Sequence, residues 1–396
     1  MAGQSLADGL LTRVPTLARP AAQDHVYASL RQYGRGDYFL ARLLERPLSD
    51  PEVHALLLVS LSRLEQRPES AHTVVDQAVI AATHLVGGRC KGLVNAVLRN
   101  FLRQRERLSV AAEADESAHW QHPDWWLRRL RAAYPDDWPQ AVAAGNDAPP
   151  MAVRINRRLG SRDEWLAEMA AAGLKGEAYG SMGVLLSRPV PVDRLPGFAN
   201  GKVSVQDPGA QRAAELLAPL PGSRVLDACA APGGKTAHLL ENADLDLLAL
   251  DLKTPRCRRI EENLRRLQLS ATVVAADCRD LAAWWDGQAF DYVLADVPCT
   301  ASGVVRRHPD AKWLRRENDI ASFAALQSSI LDTLWQVVRP GGKLLYATCS
   351  LFPEENGEQM ECFLTRMPAA IRQHEEQLLP NAEHDGFYYC LLEKAA

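Results

Sequence analysis

From about residue 207 onward, short apolar runs alternate with amphipathic helical stretches, and no other feature of this sequence limits the fold so severely. The apolar runs fall at 223–228, 246–251, 271–276, 290–295 and 342–348, with helical spacing between them at 235–242, 254–268 and 319–338. Parallel neighbours need a long crossover, and crossover helices cover both sheet faces, so this rhythm predicts a parallel, doubly wound α/β sheet. Residues 386–392, rich in aromatic and aliphatic side chains, read as one more strand. Ligands of such sheets bind beyond the carboxyl ends of the strands. The residues just past each run therefore bear most directly on function.

The first run leads into Asp227-Ala228-Cys229-Ala230-Ala231-Pro232-Gly233-Gly234-Lys235-Thr236. The second ends in Asp251, the third in Asp277, the fourth in Asp296-Val297-Pro298-Cys299 and the fifth in Thr348-Cys349-Ser350. Carboxylates and two thiols thus collect on one rim. The glycine loop lacks the G-x-G-x-x-G of a dinucleotide site, and a P-loop would need glycine where Cys229 stands. A loop that brings backbone close to a cofactor without pyrophosphate remains. Asp251 lies 18 residues past Gly233, close to the spacing of a carboxylate that binds ribose hydroxyls. Adenosine without pyrophosphate points to S-adenosylmethionine. Asp277 either accepts from an adenine amino group or caps a turn.

A methyl donor needs a nucleophile, and C5 of a pyrimidine becomes one only after a thiolate adds at C6. A second group must then take the C5 proton so that the thiol can leave. Cys299, Cys349 and Asp296 fit that scheme, with Asp296 placed to hydrogen-bond the base edge near N3. Cys349 precedes Pro353-Glu354-Glu355, a helix start whose dipole would favour a thiolate. Spacing alone does not say which thiol attacks. The run Arg306-Arg307-His308-Pro309-Asp310-Ala311-Lys312-Trp313-Leu314-Arg315-Arg316 is basic with an aromatic, and reads as a phosphate-gripping lip beside an unstacked base rather than a solvated loop.

Residues 20–130 carry helical periodicity, as in Val53, Leu56, Leu57, Leu61 and Leu64 and again in Leu93, Val94, Val97, Leu98, Phe101 and Leu102. Basic residues Arg89, Lys91, Arg99, Arg103, Arg105 and Arg107 cluster on the last long helix, where they form a solvated face or an RNA-facing one. Residues 131–205 read as a linker helix and a small α+β subdomain, with strands at 151–156 and 183–186 and a helix at 161–172. The expected division is 1–130 helical, 131–205 linker and subdomain, and 206–396 catalytic.

The net charge of −4 argues against nucleic acid only until its distribution is read. Residues 350–396 hold nine acids against three bases, and the rest of the chain is net positive. None of the eight cysteines forms a C-x-x-C pair, so no metal site is expected. No apolar stretch is long enough to span a membrane, and residues 1–8 lack the basic and apolar stretches of a secretory signal. A cytoplasmic monomer is the expectation.

The motifs Asp227 to Lys235, Asp296-Val297-Pro298-Cys299 and Thr348-Cys349-Ser350 resemble those of the NOL/NOP/Sun RNA cytosine-C5 methyltransferases. Within that class, Arg306-Arg307-His308-Pro309, Lys312-Trp313-Leu314-Arg315-Arg316 and Pro353-Glu354-Glu355-Asn356 are similar to the bacterial small-subunit ribosomal RNA methyltransferase B (RsmB) family. Lys91-Gly92-Leu93-Val94-Asn95-Ala96-Val97-Leu98-Arg99 resembles a NusB-like RNA-binding domain. The resemblance implies a NusB-like helical domain, shortened at its start, before a small α+β subdomain and a class I, Rossmann-like methyltransferase domain. It implies S-adenosylmethionine as cofactor and 16S rRNA as partner. By that resemblance Cys349 is the nucleophile and Cys299 assists product release. Cys229, Ala230, Ala231, Pro232, Gly233, Gly234, Lys235, Asp251, Asp277 and Asp296 are its cofactor contacts. Competing functions are a transfer RNA cytosine-C5 methyltransferase, which shares the chemistry, and a non-catalytic RNA-binding assembly factor, against which the two intact thiols argue.

Overall fold

Along residues 290–296 every side chain but the polar ones is buried, and successive ones serve opposite faces. Val293 and Ala295 join one apolar layer and Leu294 the other. Leu226, Leu344 and Tyr346 lie with the first layer, and Val225, Leu345 and Ala347 with the second. A strand with two apolar faces is stable only between two layers of helices, as the period-2 geometry requires. The computed structural model that shows this describes Gly9 and residues 14–396; residues 1–8, read above for a secretory signal, lie outside the described residues.

The chain forms two compact units. One holds the described residues up to Asp147 together with Val305–Glu317, and the other holds Ala148–Val304 and Asn318–Ala396.

In the second unit a four-stranded antiparallel sheet comes first. Its strands are β1 (Ala152–Ile155), β2 (Gly176–Tyr179), β3 (Gly183–Leu186) and β4 (Val203–Val205), in the order β2-β3-β1-β4. Its helix, Arg162–Ala171, starts at a capping box in which the Ser161 side chain accepts from the Glu164 amide while the Glu164 carboxylate accepts from the Ser161 amide. The large sheet comes next: β5 (Arg224–Asp227), β6 (Asp246–Asp251), β7 (Thr272–Ala275), β8 (Phe290–Asp296), β9 (Val338–Thr348), β10 (Ala370–Leu378) and β11 (Phe387–Lys394). The order is β10-β11-β9-β8-β5-β6-β7. Pairs from β9 to β7 are parallel, whereas β11 runs antiparallel to both β9 and β10. The sheet is thus mostly parallel, with a strand at β10 that the apolar pattern does not signal. The chain winds outward from β5 through β6 to β7, then returns to the other side of β5 as β8. That reversal leaves a crevice beyond the carboxyl ends of β5 and β8.

The first unit is helical: Arg19–Arg31, Tyr33–Leu43, Pro51–Gln66, Ala71–Ala82, Lys91–Glu113, Glu116–Trp120, Asp124–Ala133 and Trp138–Asn146. Phe39, Leu57, Leu61, Val94, Leu98 and Phe101 are fully buried in its core. Trp138–Asn146 belongs here, so the helical unit runs past residue 130. The basic segment 305–317 belongs here too, and this corrects its reading as a phosphate-gripping lip. Arg306 and Lys312 are buried, Lys312 donates to Asn146 Oδ1 at 2.7 Å, and the Trp313 ring lies 4.8 Å from that of Tyr33. Burial pushes the Lys312 amine down to about 7. Of this run Arg316 is exposed, and Arg307, His308 and Arg315 are partly so.

Candidate active site

The loop after β5 turns sharply because Gly233 adopts φ 94°, a left-handed conformation that a side chain disfavours. A Cβ there would also lie 3.2 Å from the Ile260 backbone and side chain. The turn is closed by the Gly233 amide donating to Ala230 O at 2.7 Å, and Ala230 is tied to β6 through Leu250 O at 2.8 Å. Helix Gly234–Asn242 starts immediately afterwards. Cys229 through Lys235 therefore form a tight backbone cradle at the switch in strand order.

Asp227, under this cradle, is buried. Its Oδ2 accepts from Thr236 Oγ1 at 2.6 Å, while Oδ1 has no hydrogen-bond partner among the described residues. Burial raises its pKa to about 7, the Thr236 hydroxyl works against the rise, and the Asp296 charge adds to it. Asp251, at the end of β6, is likewise buried and accepts from the Ala231 and Lys253 amides at 3.3 and 3.2 Å. Asp277 lies past β7 at the surface, where the Arg279 guanidinium 2.6 Å away holds its carboxyl below the usual range. Asp296 ends β8 and pairs with Lys235 at 2.6 Å. Burial works against the charge on Lys235, but the carboxylate outweighs it and the amine stays above its ordinary value. Cys229 is held up as a thiol, first by a hydrogen bond with Cys278 and then by burial.

The two thiols expected from the sequence meet. Cys299 Sγ and Cys349 Sγ lie 3.3 Å apart, one on the loop after β8 and the other on the loop after β9. These strands are parallel neighbours with Asp296 opposite Ala347, which brings the two loops side by side. The contact with Cys349 and then burial push the Cys299 thiol well up, so it keeps its proton at neutral pH. Cys349 is the more accessible of the pair. The helix start expected at Pro353 is only a three-residue 3-10 turn, Pro353–Glu355, and the α-helix begins at Gly357. A single short turn carries little dipole, so a helix dipole at Cys349 is not what this fold supplies.

Two groups central to the geometry had no such role in the sequence reading, where Arg154 stood only within a strand and Glu355 only at a helix start and in the Pro353-Glu354-Glu355-Asn356 match. Arg154, fully buried on β1, donates to both Glu241 oxygens at 2.7 and 2.8 Å, to Gln206 Oε1 and to Gly234 O at 3.1 Å. It thereby ties the small sheet to the cradle. Glu355 is fully buried between the thiol loops. In the helical unit, Arg89, Lys91, Arg99, Arg103 and Arg107 are exposed, whereas Arg105 donates to Glu65 O at 3.2 Å.

Three family descriptions match the sequence. "16S rRNA methyltransferase RsmB/F" covers residues 214–393, a RsmF/B-like ferredoxin-like domain covers 122–193, and the NusB family covers 8–103. The curated ribosomal RNA small subunit methyltransferase B of Pseudomonas putida is 46% identical over 98% of this chain and 93% of its own length. The protein of the same name from Vibrio cholerae is 44% identical over 94% and 88%. Two solved structures share the fold. The crystal structure of PH0851 has a TM-score of 0.83 at 23% identity, covering 96% of this chain and 91% of that one. That of NSun6 from Pyrococcus horikoshii with SFG has a TM-score of 0.61 at 19%, covering 69% and 98%.

Proposed function

This chain belongs to the ribosomal RNA small subunit methyltransferase B family, enzymes that methylate 16S rRNA, and from that premise we propose that it methylates C5 of a cytosine through a covalent bond from Cys349 to C6. The observation that carries this reading is the 3.3 Å approach of Cys299 and Cys349 beside the Lys235–Asp296 pair. One accessible thiol, one thiol held protonated and a carboxylate on a single rim are what addition to a pyrimidine and its reversal require.

Cys349 adds to C6 as the thiolate and makes C5 nucleophilic. Asp296 accepts from the base edge and is itself fixed by Lys235. After methylation, loss of the C5 proton allows the C6–sulfur bond to break and Cys349 to depart. Cys299, 3.3 Å from Cys349 Sγ, assists that release as a relay: it hands its proton to the departing Cys349 sulfur, and the thiolate this leaves on Cys299 takes the C5 proton. S-adenosylmethionine, when bound, supplies the methyl group. The loop Cys229 to Lys235 would hold it, with Asp251 on the ribose hydroxyls and Asp277 and Asp296 as further contacts. The fit rests on the cradle turned by Gly233, on a buried carboxylate at the end of β6, and on the unpartnered Asp227 oxygen beneath them.

In this proposal the helical unit, up to Asp147, binds rRNA, residues 148–205 connect and brace, and 206–396, apart from Val305–Glu317, carry the chemistry. The exposed Arg89, Lys91, Arg99, Arg103 and Arg107 offer phosphate contacts, so RNA affinity falls as salt rises. Among the described residues no helix is long and apolar enough to cross a membrane. The enzyme acts as a monomer in the cytoplasm, where its substrate is.

The roles of the thiols are tested with 16S rRNA and S-adenosylmethionine. Cys349→Ala is expected to abolish methylation, and Cys299→Ala to accumulate an RNA adduct that survives SDS. Normal turnover by Cys299→Ala together with an adduct in Cys349→Ala would reverse the assignment.

A further inference from the structure

We infer that Glu355 is a positioning residue: its buried carboxylate clamps the loops that carry Cys299 and Cys349 and so fixes the distance between the two sulfurs. Glu355 accepts from the Thr300 amide at 2.9 Å, from Gln327 Nε2 at 3.0 Å, and from the hydroxyls of Thr300 and Ser350. Thr300 is the residue after Cys299, and Ser350 the residue after Cys349. One carboxylate therefore grips the chain just beyond each thiol. A carboxylate is the one side chain whose two oxygens take four donors and offer none in return.

The residues before the thiols are pinned as well. Gln327 Nε2 also donates to Pro298 O at 2.9 Å, and Thr348 Oγ1 donates to Asn356 Oδ1 at 2.6 Å. Asn356 Nδ2 returns to Ser350 O at 2.9 Å. Ser302 completes the set, lying 3.1 Å from the Ser350 hydroxyl and accepting from the Leu351 amide at 2.7 Å. Glu355 itself is held by Tyr346, whose hydroxyl donates to its backbone oxygen at 2.7 Å. None of these bonds reaches a sulfur. The thiols stay free to react while the backbone on both sides of each is fixed. A buried carboxylate kept in an apolar surround is costly, and four donors at once are the compensation that makes it tolerable.

The consequence for catalysis rests on the assignment of Cys349 and Cys299 given above, but the clamp itself can be read without turnover. In the full-length protein, diamide oxidises the two thiols to a disulfide and is itself reduced to the hydrazine, so the oxidation rate reports how close the sulfurs are held. Glu355→Gln turns an acceptor into a donor that faces two hydroxyls. It is expected to slow formation of the Cys299–Cys349 disulfide at least about tenfold and to lower kcat about 100-fold, as loss of near-attack geometry does. KM for RNA and Kd for S-adenosylmethionine are expected to stay within about threefold, since neither depends on the clamp. Thr300→Val removes one hydroxyl bond and should show a weaker form of the same pattern, while Thr300→Ser should restore wild-type values. This pair carries the test if Glu355→Gln does not fold.

Unchanged disulfide formation in a folded Glu355→Gln protein would overturn the proposal, as would a loss of kcat matched by an equal loss of cofactor binding. If instead the disulfide slows as expected but Cys349→Ala still methylates, the clamp stands and the assignment of the thiols fails.

Discussion

Two buried carboxyl groups at the same edge of the sheet have opposite surroundings. Asp227, beneath the glycine loop, has one oxygen bonded to Thr236 and the other without a partner among the described residues. Glu355, on the thiol side, accepts from four donors. Burial pushes both upward, Asp227 to about 7. Groups left half-satisfied keep capacity for a ligand, whereas groups saturated by their own chain hold geometry and offer nothing outward.

The largest effect that bears on this contrast is a pH dependence of stability. The folded pKa of Asp227, about 7, lies above its ordinary 3.8, so the folded chain binds the extra proton between those values. Its stabilising contribution is complete below about pH 4 and is lost as pH rises through 7. Wild type should therefore lose about 2 kcal/mol from this group between about pH 5 and 7. Asp227→Asn should lack that slope when urea unfolding is followed at both pH values. Parallel curves for the two proteins would erase the distinction between the sides.

A comparable effect is expected at the end of β6. Asp251→Ala removes a carboxylate proposed to bind ribose hydroxyls, and charged hydrogen bonds are worth about 1.5–3 kcal/mol. Calorimetry should show S-adenosylmethionine binding about 10- to 100-fold more weakly, with kcat at saturation within a few-fold. A fall in kcat with unchanged affinity would instead give Asp251 a positioning role like that of Glu355. The smallest effect belongs to Asp277, which is surface-placed and engaged by Arg279. Asp277→Ala is expected to change the same affinity by only about two- to fivefold, in line with the small worth of exposed charge pairs. A change as large as that of Asp251→Ala would make it an equal partner.

The strands that carry the site were legible because each is an apolar run flanked by turn residues, and a parallel sheet buried on both faces imposes that pattern. The rim could be read from them, since one residue after each strand must emerge at the same edge. β10 was not legible. Its sequence, Ala-Ile-Arg-Gln-His-Glu-Glu-Gln-Leu, is mostly polar because it forms the sheet's outer strand and pairs only with β11. Glu355 was read as an acid at a helix start, which is how proline followed by acids reads locally. Its clamp arises from the lateral pairing of β8 and β9, an alignment across about 50 residues that no local pattern records. Arg306 and Lys312 misled for a related reason. A basic run with a tryptophan has the composition of an RNA contact, and composition does not tell that a buried cation's partner is an asparagine of a distant helix.

That segment has a consequence for inheritance. The chain leaves the catalytic unit shortly after Cys299, contributes Val305–Glu317 to the helical unit, and then resumes the catalytic unit with the long helix before β9. A single recombination point near residue 147 would hand a descendant the helices of one parent and their buried insert from the other. Lys312 and Arg306 would then have to find their cavity in a foreign host. The connectivity makes this enzyme hard to shuffle as two cassettes, and lineages that exchange its helical half must exchange thirteen residues from the middle of the following half at the same time.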